Sequence, residues 1–192
     1  MNLAINGGGL IMQNYIRQIP CNVFIMVFML LALALFSYAG NSFAAGKKYD
    51  GVKNVNPETG RAEIAGETEP YLFLKARITS TNNTTIVFKQ KTCATIGSDG
   101  KEYSDCWIRI SGWSKGLSMS QNAPLSMKTL SVKISGDQAT HNWNTSRVSG
   151  PDGSIEIVLP ANGFVDLHFL WELPDGVDAK VIRIKDLIEI KL

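Results

Sequence analysis

Strict alternation of apolar and polar residues near the end of the chain is the feature that most limits its fold. Four large apolar residues fall on one face of the extended segment 164–172: Val165, Leu167, Phe169 and Trp171. Four alternate residues fall on the other face: Asp166, His168, Leu170 and Glu172. A helix would mix the two sets, because its period is 3.6 residues. The pattern therefore predicts a β-strand with one core face and one half-exposed polar face.

Other β-favouring runs recur along the chain, with turn signals about every ten residues. They occupy 71–79, 84–90, 107–110, 130–134, 155–159, 181–184 and 188–192. Segments 111–128 and 136–153 are polar and contain Gly, Ser and Pro, which predicts two long loops. No stretch after residue 44 shows a sustained helical stripe. The sequence predicts an all-β, two-sheet β-sandwich of about seven or eight strands.

Residues 1–44 have the parts of a secretory signal peptide. Arg17 is the only charged residue before the apolar run 23–40, and the small residues Ser42 and Ala44 follow that run. The sequence predicts cleavage after Ala44, with either Met1 or Met12 as the true start. The alternative is an uncleaved membrane anchor, since the apolar run is barely long enough to span a bilayer.

The predicted signal places the rest of the chain in the periplasm or the extracellular space. Residues 45–70 are polar and rich in Gly and Glu, which predicts an extended leader or tether before a domain at 71–192. The chain has 19 Lys+Arg and 17 Asp+Glu, a formal net charge of +2. This balance gives no electrostatic case for nucleic acid, and membrane contact is expected only through the signal or anchor segment.

The sequence has three cysteines, and Cys21 lies within the predicted signal peptide. The two that remain in the exported chain, Cys93 and Cys106, predict a disulfide bond, because that compartment is oxidising. If Asp99 and Gly100 form a two-residue type I′ turn, Cys93 lies opposite Cys106 at a non-hydrogen-bonded pair of a hairpin. Cα atoms at such pairs approach to about 4.5 Å, within the disulfide range. The alternative is a redox-active or metal-binding pair, which has neither CxxC spacing nor a neighbouring histidine in its favour.

Three short motifs also occur in a recognisable order: ARITSTNNTTIVFKQ, SDGKEY and LPANGFVDLHFLWELPDGVDAKVIRI. Together they resemble the telokin-like, immunoglobulin-type extracytoplasmic domain of bacterial secreted proteins and lipoproteins. The features that match are Asn82-Asn83, the segment Gly100 to Tyr103 and the segment Phe169 to Pro174. The resemblance implies an immunoglobulin-like β-sandwich outside the cytoplasm. It implies no catalytic residue, because the family has no general catalytic activity, and the cysteine pair and segment 111–128 depart from its pattern.

Signatures of common catalytic sites are missing from the sequence, which has no Gly-x-Ser-x-Gly, His-Glu-x-x-His or phosphate-binding loop. Asp166 and His168 are near enough on one strand face to share a metal ion, with Glu172 further along. One histidine and one carboxylate make an incomplete metal site, and the simpler interpretation is the polar face of a half-exposed sheet. We therefore predict no catalytic residue, no metal and no cofactor.

The candidate contact residues lie in the two predicted loops: Trp113, Met119, His141 and Trp143. Tryptophan offers a large apolar surface, and methionine (here also Met127) adapts to varied partners. The alternatives are that Trp143 folds back over the edge of the core and that the Met-containing loop is a flap over the sandwich.

The leading hypothesis is a non-catalytic exported β-sandwich that binds a protein or glycan partner through its loops. One alternative is an inhibitor or immunity protein, which would insert a rigid hairpin into the active site of an envelope enzyme. The other is a small metal-dependent enzyme that uses Asp166 and His168.

Overall fold

The computed structural model describes residues 43, 44 and 51–192, which form fourteen strands and no helix. The predicted signal peptide lies outside the described residues, apart from Phe43 and Ala44. The strands are β1 (Phe43–Ala44), β2 (Val52–Ile64), β3 (Tyr71–Ser80), β4 (Thr84–Lys89), β5 (Cys93–Gly97), β6 (Glu102–Tyr103), β7 (Cys106–Trp113), β8 (Ser118–Asn122), β9 (Leu125–Ile134), β10 (His141–Val148), β11 (Ser154–Leu159), β12 (Phe164–Glu172), β13 (Ala179–Ile184) and β14 (Ile188–Lys191). The all-β prediction is confirmed. The predicted count of about seven or eight strands in two sheets is too low, because the described residues form fourteen strands in three sheets.

The strands form three antiparallel sheets. A five-stranded sheet has the order β1-β14-β13-β5-β6, and a three-stranded sheet has the order β4-β11-β8. The remaining six strands make a closed sheet in the order β10-β7-β12-β3-β2-β9, completed by the pairing of β9 with β10. Several of these pairings, such as β12 with β3 and β11 with β4, are long-range in sequence, so no single segment predicts them.

The main core lies between the closed sheet and the other two sheets, as in a β-sandwich. Four side chains of β12 enter it with no exposed surface, as their alternation predicts: Val165, Leu167, Phe169 and Trp171. The Phe169 ring centroid lies 5.8 Å from that of Phe88 on β4, which joins the two layers. Each fully buried side chain of this size stabilises the fold by about 1.5–3 kcal/mol relative to exposure.

A second core fills the inside of the closed sheet. Its buried residues come from five of the six strands: Ala62, Ile64, Tyr71, Phe73, Leu130, Val132, Trp143 and Leu170. The alternate face of β12, predicted to be half-exposed, is buried at its centre, where His168 and Leu170 lie, while Asp166 is partly buried and Glu172 is exposed. Closing the sheet gives these strands two buried faces, an effect that the pattern of one strand cannot reveal.

Residues 52–64 correct the prediction that 45–70 is a leader outside the domain. They form β2, which pairs with ten residues of β3 and three of β9. The strand needs few apolar residues, because only Val52, Ala62 and Ile64 are buried among those of its side chains that the structure describes. The polar composition of residues 52–64 is therefore similar to that of a tether, although the segment is a strand.

The two predicted long loops are also largely strands. Segment 111–128 contains the end of β7, all of β8 and the start of β9, while 136–153 contains β10. Every residue of β8 is exposed, so its Ser- and Gln-containing sequence shows no core alternation. In β10, Asn142 and Asn144 are exposed and accept hydrogen bonds from Ser131 and Thr129 of β9. Cross-strand polar pairs of this kind stabilise a sheet without an apolar signal.

The hairpin around Gly100 has a different register from the predicted one. Gly97 N donates to Lys101 O, and the ladder pairs are Thr95 with Tyr103 and Ile96 with Glu102. The loop therefore has three residues, and only Gly100 has a positive φ, of 78°. The predicted two-residue type I′ turn would need positive φ at Asp99 as well.

Candidate binding groove

Three exposed large hydrophobic side chains line one groove on the side of the sandwich. The exposed fractions are 59% for Trp113, 49% for Met119 and 72% for Met127. The groove has a volume of about 410 Å³ and lies between the three-stranded sheet and the closed sheet. Large apolar side chains are normally buried, so their convergence on one concave surface makes this groove the candidate contact site.

Strand pairing positions each of these three residues. Trp113 ends β7 opposite Val165, and Met119 lies in the middle of β8 opposite Ile157. Met127 faces Ser146 across the β9–β10 pair. Each of the three residues belongs to a paired strand. Backbone pairing, rather than a loop conformation, therefore fixes the positions of their Cα atoms.

The floor of the groove reaches the main core. Ile108 of β7 and Ile155 of β11 line it and are themselves buried core residues. Leu117 and Ile110 are only partly buried and pack against the same core. An apolar group that entered the groove would therefore continue the core rather than rest on its surface.

The polar residues of the groove are uncharged. Four of them line it: Gln121, Asn144, Thr145 and Ser146. Gln121 Nε2 donates to Ser146 Oγ at 3.2 Å, which links β8 to β10. Thr145 Oγ1 donates to the carbonyl oxygen of Lys128, and Asn144 Oδ1 accepts from Thr129. Among the described residues, the groove lining offers no charged group to a partner.

The structure separates the four predicted contact residues. Trp113 and Met119 lie together in the groove. Trp143 is only 2% exposed and lies in the second core, so its prediction as an accessible contact residue is wrong. His141 is exposed at the start of β10 but does not line the groove.

Eight residues of the groove are not predicted from the sequence as contact residues: Ile108, Ile110, Leu117, Gln121, Asn144, Thr145, Ser146 and Ile155. The alternation of β7 is the one sequence feature that points to Ile110. The presence of the other residues in the groove depends on the pairing of strands that are distant in the sequence.

Cys93 and Cys106 are buried free thiols that approach each other from different sheets. Cys93 pairs with Ile184 in the five-stranded sheet, and Cys106 pairs with Trp171 in the closed sheet. The predicted cross-strand placement is therefore wrong, although the two residues do come together. Burial first, and then the Cys93 thiol, raise the pKa of Cys106 well above its usual value. The disulfide bond itself stays a prediction.

Asp166 and His168 have separate partners instead of a shared site. Asp166 accepts two hydrogen bonds from Arg77, at 2.7 and 2.8 Å. His168 contacts Arg109 and Ser111 and lies 4.8 Å from the Trp143 ring, measured between centroids. Within the described ranges no three His, Cys, Asp or Glu side chains cluster closely enough to hold a metal ion.

The described part of the chain also has no helix able to span a bilayer. Comparison of the chain with protein-family models, with curated proteins and with solved structures gives no match.

Proposed function

We propose that this protein is an exported, non-catalytic, immunoglobulin-like β-sandwich that binds a protein partner through the groove lined by Trp113, Met119 and Met127. The observation that carries the proposal is the convergence of three exposed large hydrophobic residues on one uncharged groove. Export rests on the signal-like segment 1–44, and the immunoglobulin-like class rests on the sequence motifs described above.

The chemistry of the groove favours a protein over a glycan. Met, Leu and Ile side chains offer dispersion contacts that suit apolar side chains, and methionine adapts to their shape. Sugar hydroxyls need several free polar groups, whereas Gln121, Asn144 and Thr145 already hydrogen-bond within the protein. Trp113 supplies a large apolar surface, as tryptophan does at the centre of many protein interfaces.

Site-specific photocrosslinking in cells that express the full chain tests this proposal. A photoreactive amino acid replaces Met127 in the groove, and in a control it replaces Leu192, which is also exposed but does not line the groove. We expect one dominant crosslinked protein from position 127, and none of it from position 192.

Trp113→Ala should reduce this crosslink at least tenfold, while Leu192→Ala should leave it unchanged. Equal crosslinking from both positions, or no effect of Trp113→Ala, would show that the groove is not the binding site.

A further inference from the structure

We propose that the partner binds as an extended strand that pairs with the free edge of β8 and places uncharged apolar side chains in the groove. This inference rests on the proposed function and adds the class of ligand to it. The partner segment would extend the three-stranded sheet to the order β4-β11-β8-ligand. Strand addition of this kind gains affinity from main-chain hydrogen bonds and specificity from pockets for alternate side chains.

The backbone of β8 is open on one side. Among the described residues, β8 pairs only with β11, over five positions in regular register. In an antiparallel strand, alternate residues direct their N–H and C=O groups to opposite sides, so part of the β8 backbone faces away from β11. All five residues of β8 are exposed, so a second strand has access to them.

The edge of β8 lacks the features that usually block strand addition. Proteins protect edges with charged residues, bulges, proline or very short strands. Of the other edges in the described part, β6 has two residues and β4 ends with Lys89. Strand β1 also has two residues, and the predicted cleavage after Ala44 would remove it and leave β14, which contains Glu189 and Lys191, as the edge. The five residues of β8, Ser-Met-Ser-Gln-Asn, contain no charge and no proline.

The groove lies beside this edge and selects the side chains of the ligand. Met119 and Gln121 are two residues apart on β8, and both line the groove. An added strand would likewise present every second side chain to the groove. Those side chains must be apolar and uncharged, because the lining has no charged partner and the floor consists of the buried Ile108 and Ile155. The length of β8 suits a ligand strand of five residues, about 17 Å long.

The inference can be tested with random nine-residue peptides displayed on phage. The target is the protein purified from cells that express the full chain. We expect the selected peptides to carry apolar residues at alternate positions, with no charge among them. Trp113→Ala and Met119→Ala should each weaken binding of a synthetic selected peptide at least tenfold, and Leu192→Ala should not.

Backbone pairing is tested on the same peptide. We prepare two versions with N-methyl groups on alternate residues, one for each of the two alternating sets. Because only one set of N–H groups faces β8, one version should lose binding at least tenfold and the other should retain it. Peptide binding should also slow amide hydrogen exchange within β8.

The remaining outcomes separate this inference from the proposed function. If both methylated versions bind equally and exchange in β8 is unchanged, strand addition is wrong while the groove remains a binding site. If position 127 crosslinks a protein but no peptide binds, the partner presents a folded surface and the inference is again wrong. If the protein self-associates and Trp113→Ala abolishes that association, the ligand is a second copy of this chain. If it binds phosphatidylcholine vesicles and Trp113→Ala abolishes that binding, the ligand is a lipid.

Discussion

Nη1 of Arg109 lies 3.3 Å from Nδ1 of His168 in the region enclosed by the closed sheet. A guanidinium can only donate, so Nδ1 accepts and the neutral ring carries its proton on Nε2. Nε2 lies 3.3 Å from Ser111 Oγ, which in turn donates to the carbonyl oxygen of Asp166. This chain of contacts requires a neutral His168.

The stability of the protein should fall in mild acid because of His168. Burial first, then Arg109 and Lys75, lower the pKa of His168 from 6.5 to about 4, while Asp166 and Glu58 oppose the shift. The unfolded chain therefore takes up a proton near pH 6.5 and the folded protein only near pH 4. Stability from this histidine is complete above pH 6.5 and is lost as pH falls towards 4, by at most about 3 kcal/mol.

Urea unfolding at pH 7 and pH 4.5 measures this effect. His168→Gln should reduce the loss of free energy of unfolding between the two pH values. His141→Gln, a change of the exposed histidine, should leave that loss as it is in the wild type. An equal pH dependence in all three proteins would contradict the assignment.

Trp113 and Trp143 should respond in opposite ways to the same substitution. Trp143→Ala removes a buried ring that contacts Phe73, His168 and Arg109, and should lower the free energy of unfolding by about 3–5 kcal/mol. Trp113→Ala removes an exposed ring and should change it by no more than about 0.5 kcal/mol while weakening partner binding. Thermal unfolding and the crosslinking assay together check both expectations. A large stability loss in Trp113→Ala would show that its ring supports the fold.

Oxidation should join Cys93 and Cys106. The bond would close a short loop and link two sheets, which stabilises the protein by about 3 kcal/mol on the chain-entropy model. Alkylation under non-reducing conditions, followed by mass spectrometry, counts the thiols of the exported protein. We expect none after denaturation, and two after reduction and denaturation. Two alkylated cysteines in the unreduced, denatured protein would contradict the bond.

Gly100 of the β5–β6 hairpin should be sensitive to substitution because of its backbone conformation. Its φ of 78° lies in the left-handed region, where a β-branched side chain is strained. Gly100→Val should cost about 1–2 kcal/mol of unfolding free energy, and Gly100→Asn less, because asparagine tolerates this region. Urea unfolding of the two variants checks the order. Equal costs would indicate that the turn changes conformation.

The sequence predicts those strands in which apolar and polar residues alternate. The alternation of Val165, Leu167, Phe169 and Trp171 located β12 and its core face correctly. Strands β2 and β10 could not be predicted from alternation. A strand of a closed sheet can be held by backbone pairing and by a few buried residues, such as Ala62 and Trp143. The groove was half predicted. The sequence predicts Trp113 and Met119 as contact residues of one loop, but their meeting with Met127 depends on the pairings β8–β11 and β9–β10.

Strands β3, β7 and β12 each carry side chains of the main core on one face and of the second core on the other. If the packing of one core is lost, strands that also contribute side chains to the other core lose their support. Melting should therefore be a single concerted transition, and the slowest-exchanging amides should belong to these three shared strands, whichever core a destabilising substitution affects.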